Sequence, residues 1–494
     1  MLLGNSLLTF DYIPLIHRLR LQYSDVKRAR QLVEYRSGVE TRTKETSTLE
    51  DFWGSKLDQN LRERGLFGTD TDLGFLFSTD GIKVYKSRVE FHTWPIMLVN
   101  LSLPSSERFK RCNCLFMGSI PGPDDPKDLN SFLVPLIEEL RQLQEGIPGV
   151  WNAYRKEYFT LKAHICVIGS DIPARETLMQ TLGRGSYQYC AYCKVTGCRG
   201  NKYVYCPFRV PDDVALEILD ATLEEAVDFS KDAIPAEDGE FLTWDFRTHD
   251  EYLNAMEQIV KYNNYNGAYP YSVKGFSILT QLSSIIFPWS FPPDPMHLWF
   301  ENIFPKTLFD HQRGRYFTSG ILHSGKEEDE DDAETLRDEG EDASNEESSS
   351  DEEEEIQYPQ SQQAHSAKRK RKGKEKQSSK RTKKQKKKKP SKLPKFASND
   401  EPYLIDPKHW QQIGNDMFKT RKSGGIPSQF GYNIRSIKDH CHNFKAEEWR
   451  NWALRYSPIY LENVLPEPFY TEYISLVRAV VKAIKFKITP GDIE

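Results

Sequence analysis

The chain has 494 residues, long enough for two or three domains of roughly 100–200 residues each. Its 38% hydrophobic and 12% aromatic content is globular, diluted by a very polar segment, and the formal net charge of −5 averages two blocks of opposite sign, so overall charge neither favours nor excludes a polyanionic partner. Met1–Gly4 is too short an apolar run for a secretory leader and no run of about 18 apolar residues occurs, so an intracellular, soluble protein is expected, its 8 cysteines thiols or metal ligands rather than disulfides.

From Phe10 to Tyr35, Leu15, Leu19, Tyr23, Val26 and Ala29 keep helical spacing, which predicts an amphipathic helix. Its basic face carries Arg18, Arg20, Lys27, Arg28 and Arg30, either solvated or turned to nucleic acid. Apolar runs at Leu73–Tyr85, Trp94–Leu103 and Cys112–Ile120 predict three strands, the first interrupted by Asp80-Gly81. Asp128 to Gln144 reads as a helix capped by Asp128, with Phe132, Leu133, Leu136, Ile137, Leu140 and Leu143 on one face. Tyr158–Gly169 is a fourth strand, and Ala174–Leu182 opens another helix. Three strands, a helix, a strand and a helix is the order of a ribonuclease H-like α/β core, a mixed sheet with flanking helices.

Gly183 to about Gly275 is rich in Cys and Tyr and partly helical, at Asp213–Asp228 and Asp250–Tyr262. Phe287–Phe304 is a Pro-rich entry into a helix with Asp294 at the N-cap and Pro295 in the first turn. Within 324–397 an acidic block (Lys326–Glu355) precedes a basic one (Lys368–Lys395), a composition that cannot bury enough apolar surface to offset chain entropy. Lys368, Arg369, Lys370, Arg371 and Lys372 suit a nuclear import signal better than a mere solubilising linker, which makes the nucleus and an import receptor the expected destination and partner. The aromatic-rich Asp416–Glu472 returns to a folded unit. The expected division is 1–70 helical, 71–182 core, 183–290 a Cys-containing, largely helical insertion, 291–323 a functional helix, 324–397 disordered, and 398–494 helices completing the fold.

Asp80 and Asp171 are the candidate catalytic residues. Asp80 breaks the first strand and Asp171 ends the fourth; in the expected sheet these strands are neighbours, so the two acids meet. Two ionised carboxylates side by side repel, and Mg²⁺ is the ordinary remedy. A third acid should come from a helix under the same sheet edge, and Glu301 is the choice. Read blandly, Asp80-Gly81 is a turn and Asp171 a helix cap. Cys190-Ala-Tyr-Cys193 has the spacing of half a structural zinc site; Cys198 and Cys206, or His297, would supply the rest, and two free thiols are the alternative.

The segments STDGIKVYK, WPIMLVNLSLP, IPGPDDPKDLNSFLVPLIEEL, FTLKAHICVIGSDIPARETLM, YCAYCKVTG and DPMHLWFENI occur in that order. Together they resemble the transposase family of CACTA (En/Spm-like) DNA transposons, in its fungal form, from about Phe10 to Tyr470 outside the charged tract. The resemblance implies a DDE-type site holding two Mg²⁺ ions, or Mn²⁺, on Asp80, Asp171 and Glu301. Asp294 is the alternative third acid, because plant relatives place their Glu nearer the His. It also matches Cys190, Cys193 and His297 to the family's C-x-x-C and Met-His, although Phe291 and Pro292 stand where many relatives carry another His. Transposon ends and target DNA are the implied partners, acting on a homo-oligomer away from any membrane. The competing expectation is a catalytically inactive, transposon-derived DNA- or chromatin-binding protein.

Overall fold

The computed structural model describes residues 10–83, 92–122, 126, 128–183, 186–195, 198–200, 203–205, 245–262, 270–313, 403–422 and 435–493. The helix expected at Asp213–Asp228, the tract 324–397 and the basic run Lys368–Lys372 lie outside them. The chain divides into two compact units, Met1–Phe309 with Ile405–Glu494, and Asp310–Leu404. In the second, the His311 and Tyr403 rings lie 6.1 Å apart.

The N-terminal helical stretch is two helices, α1 (Leu15–Ser24) and α2 (Val26–Thr46), because Asp25 leaves helical geometry and caps the second by accepting the Arg28 amide at 2.7 Å. The N-terminus of α1 is capped from a distance: Glu139 accepts the Leu15 and Ile16 amides at 2.7 and 3.0 Å. α3 (Lys56–Glu63) follows. Then come β1 (Leu73–Thr79), β2 (Ile82–Lys83), β3 (His92–Asn100), the single turn α4 (Ser105–Arg108) and β4 (Leu115–Pro121). α5 (Leu129–Glu145) buries Leu133, Leu136, Ile137, Leu140 and Leu143, each contributing roughly 1.5–3 kcal/mol. Asp128 stands at its N-cap as expected, but its carboxylate takes the Ser131 hydroxyl instead of a backbone amide.

The predicted strand Tyr158–Gly169 is two strands. β6 (Glu157–Leu161) pairs with an unforeseen partner, β5 (Ile147–Asn152), in a hairpin, and only β7 (Ala163–Gly169) enters the main sheet. Buried Asn152 closes the hairpin by accepting the Tyr154 and Arg155 amides at 3.1 and 3.2 Å. α6 (Ile172–Leu178) starts and ends earlier than predicted, and the small pair β8 (Cys198–Gly200) and β9 (Tyr203–Tyr205) lies in the Cys-rich stretch. α7 (His249–Tyr262) is the helix expected there.

The result is a mixed five-stranded sheet with flanking helices. β3 runs antiparallel to β1 and β4, β2 continues the line of β1 beyond Asp80-Gly81, and β7 lies parallel to β1 on its other side. Strand alternation sends Phe75 and Phe77 into a core with α1 and α5, and Leu76 toward a second cluster around Trp53 and Phe67. Gly74 permits that second cluster: a Cβ there would stand 2.9 Å from the Trp53 ring. α8 (Met296–Phe309) is wound more widely than an α-helix, with i→i+5 hydrogen bonds. Its Phe300, Phe304 and Phe309 pack with residues of α9 (Pro407–Lys422), α10 (Ala446–Asn451) and α11 (Glu467–Ala483) in a third core. Among the described residues no helix is long and apolar enough to cross a membrane.

Two buried groups make the fold sensitive to change. Arg108 donates to both oxygens of buried Asp51 at 2.8 and 2.6 Å and to the Leu101 and Leu103 carbonyls. Arg108→Leu strands the Asp51 charge and should cost about 3–5 kcal/mol in urea unfolding; a loss below 1 kcal/mol would show that water reaches the pair. His164 on β7 is 2% exposed, its Nδ1 has no hydrogen-bond partner among the described residues, and burial lowers its pKa from 6.5 to about 4. The unfolded chain therefore takes up that proton first, so the stability His164 contributes is present above pH 6.5 and drains away toward pH 4, by about 3 kcal/mol. Wild type should lose that much more than His164→Gln between pH 7 and 4 in denaturant titrations; parallel losses would refute it.

Candidate active site

β1 and β7 run parallel with Ser78 opposite Gly169, so Asp80 and Asp171 each stand two residues beyond paired positions at the same sheet edge. Sequence order placed them as neighbours, and the structure does so. Each offers a ligand atom, together with His297, and the three atoms lie within 4.8 Å of one another. Asp171 is also the N-cap of α6: Oδ1 accepts the Ala174 amide at 2.8 Å, which fixes the carboxylate and leaves Oδ2 for the site. The cap and site readings of Asp171 are therefore compatible.

His297 reaches this edge from the first turn of α8. Asp294 accepts the Met296 amide with Oδ1 at 2.8 Å and the Leu298 amide with its backbone carbonyl at 2.9 Å, while its Oδ2 lies 2.8 Å from His297 Nδ1. Nε2 then faces Glu301, 3.6 Å from Oε2. The segment before α8 is attached to the sheet where the Ile168 amide donates to the Ser290 carbonyl at 2.7 Å. Among the described residues the cluster of metal-type ligands is thus two carboxylates and an imidazole. Glu301 and Asp294, the two candidates for third acid, flank the imidazole instead of joining that cluster.

The electrostatics follow from this crowding. Burial raises the Asp80 pKa from its ordinary value, and the charge of Asp171 adds to it; the Gly81 amide and His297 act against both. Burial works to lower His297, but the hydrogen bond to Asp294 and the charges of Asp294, Glu301 and Asp171 outweigh it and hold the imidazole above its ordinary value. Two carboxylates with an imidazole suit a divalent cation that accepts oxygen and nitrogen donors, so the residues present fit a metal.

Cys190 and Cys193 form a compact loop in which the Tyr192 and Cys193 amides point at Cys190 Sγ, each at 3.4 Å. Burial pushes the Cys193 thiol up to about 11, and its hydrogen bond to Cys190 adds to the rise. Among the described residues the group of metal-type ligands that contains His297 is the one with Asp80 and Asp171, and it does not include this pair. Cys206 and the side chain of Cys198 lie outside the described residues. The loop is held by buried Arg247, which donates to the Cys193 and Gln188 carbonyls at 2.9 and 2.8 Å and which sequence reasoning did not single out. Of the basic residues near the N-terminus, Arg18 donates to the Phe116 carbonyl, Arg28 to Asn113 and Arg30 to Glu34, so three of the five are engaged within the chain; Arg20 and Lys27 are exposed.

Fold and site together describe a mixed α/β protein with an acid pair at the ends of adjacent parallel strands. Residues 64–209, which span β1 to β9 and contain Asp80, Asp171, Cys190 and Cys193, match the model of the transposase family tnp2. No curated protein matches the chain.

Asp294 serves two purposes, and they can be separated. Asp294→Ala should cost about 1–2 kcal/mol of stability through the lost cap, whereas Asp294→Ser, which can still cap, should lose less than half of that in urea midpoints. Equal losses in the two variants would mean that the imidazole contact, not the cap, holds the start of α8.

Proposed function

We propose that this protein is a DNA transposase of the CACTA (En/Spm-like) kind, in its fungal form, whose ribonuclease H-like core cuts and rejoins DNA at a metal-bound acidic site. The observation that carries the reading is the meeting of Asp80 and Asp171 at the ends of adjacent parallel strands, inside the stretch that matches a transposase family. A strand order of three antiparallel strands followed by one parallel to the first supports the core assignment.

Asp80 and Asp171 would hold Mg²⁺ or Mn²⁺, with His297 as a nitrogen donor and Glu301, or Asp294, as the third acid. Divalent ions bound there would favour ionisation of an attacking water or 3′-hydroxyl and offset charge on the departing oxygen. The remaining work belongs to the chain. The cap on α6 holds Asp171 in one orientation, and Asp294 holds the ring of His297. Hydrolysis adds water to phosphorus and releases a 3′-hydroxyl, and strand transfer uses that hydroxyl in the same kind of displacement. Transposon ends, target DNA and further copies of the chain are the partners in this reading. A structural zinc at Cys190 and Cys193, and import into the nucleus through Lys368–Lys372, belong to it too.

A second reading, a catalytically inactive DNA- or chromatin-binding descendant, is favoured by one observation: the cluster holds an imidazole where a third carboxylate is needed. Incubation with DNA bearing the ends of the element that encodes the chain, with Mn²⁺ or Mg²⁺, decides between them. Nicking at the ends should fall at least ~10³-fold in Asp80→Asn and in Asp171→Asn, the equivalent of several kcal/mol of metal stabilisation. No nicking by wild type, or undiminished nicking by Asp80→Asn, overturns the enzyme reading.

A further inference from the structure

The C-x-x-C loop reaches the acid site through one side chain. Tyr192, between the two cysteines, donates its hydroxyl to the Phe291 carbonyl at 2.5 Å and accepts from Arg175 Nη1 at 2.8 Å. Arg175 lies on α6, its amide bonded to the Asp171 carbonyl at 3.0 Å, and its guanidinium sits 5.2 Å from the centre of the Tyr192 ring. Phe291 is fully buried and stands three residues before Asp294, which holds His297. One hydroxyl therefore touches both the helix that carries Asp171 and the segment that delivers His297.

The backbone behind Tyr192 is hydrogen-bonded to two residues further along the chain. Its carbonyl accepts the Arg247 amide at 2.8 Å, and the neighbouring Ala191 carbonyl accepts the Tyr252 hydroxyl at 2.8 Å. Burial pushes the Tyr192 phenol up to about 12, with Arg175 acting against the rise, so the hydroxyl keeps its proton and its role as donor to Phe291. Neither cysteine is needed for this contact. The loop acts as a strut whose end sets the separation between α6 and the start of α8, and a strut of that kind governs ligand spacing without touching a ligand.

We propose that Tyr192 is a positioning residue for the Asp80, Asp171 and His297 site, fixing the distance between Asp171 and His297 through its bridge from Arg175 to the Phe291 carbonyl. The inference rests on the reading that these residues bind a divalent metal. The test is titration of the full chain with Mn²⁺ alone, followed by electron paramagnetic resonance, alongside nuclear magnetic resonance of the imidazoles in metal-free protein. Tyr192→Phe removes the bridge and should weaken Mn²⁺ binding ~10-fold, the lower end of what outer partners of metal ligands contribute. The His297 signal should shift in that variant and stay put in Tyr154→Phe. Arg175→Lys, which can still donate to the phenol, should retain more affinity than Arg175→Ala, a rescue that a merely destabilised fold would not produce.

Unchanged Mn²⁺ affinity and an unmoved His297 signal in folded Tyr192→Phe overturn the positioning role while leaving the metal reading intact. If wild type binds no Mn²⁺ but Tyr192→Phe still moves His297, the metal reading falls and the strut stands.

Discussion

Two carboxylates brought to the ends of adjacent parallel strands repel each other, and much of this structure is arranged around that repulsion. The parallel register of β1 and β7 brings them to one end of the sheet, since Asp80 and Asp171 each follow a paired position by two residues. Such a pair cannot be buried fully ionised without compensation. The chain supplies part of it internally: the Gly81 amide and His297 act on Asp80, and the first turn of α6 takes one oxygen of Asp171. In the reading proposed above, a divalent cation would offset the remainder.

α8 links that site to a distant core. Its aromatic side chains Phe300, Phe304 and Phe309 are buried among C-terminal residues such as Trp410, Trp449 and Tyr473, with Phe309 5.0 Å from Trp410 and 5.2 Å from Trp449. Its first turn, fixed by Asp294, carries His297 to the sheet edge. A single helix therefore couples packing of the C-terminal residues to placement of the imidazole. Its wide winding suits that task, because π-type turns present side chains at spacings an α-helix does not offer and recur at functional sites.

How much of this was legible in the chain depended on whether burial left a periodic trace. β1, β3 and β7 are apolar because both faces of the sheet are covered there, and Phe75, Phe77, Ile96 and Ile165 announce them. The β5–β6 hairpin was invisible for the opposite reason: Trp151 and Tyr158 face outward, so no alternation marks it, and Asn152 alone signals the turn. Asp80 and Asp171 could be placed because strand adjacency follows from element order. His297 could not, since one-dimensional spacing does not say which of two remote partners a histidine meets, although Asp294 at i−3 on the same helix start was a local sign of an acidic neighbour. Tyr192 and Arg247 left no trace, for their side chains meet backbone carbonyls that any residue could provide, and the Arg175 side chain meets the Tyr192 hydroxyl and ring.

That last point bears on how a site of this kind is kept in shape. Asp80, Asp171 and His297 come from a strand end, a helix cap and a helix start, and none of these elements has an inherent spacing relative to the others. Backbone carbonyls at Phe291, Cys193 and Gln188 act as the fixed points, and long polar side chains, Tyr192 and Arg247, span between them. Each of those side chains is buried enough that a missing partner would cost about 1–3 kcal/mol, so the network favours one arrangement over neighbouring ones. In the positioning role proposed for Tyr192, the spacing of the acid site is set from the cysteine loop, so a change far from any carboxylate would alter it.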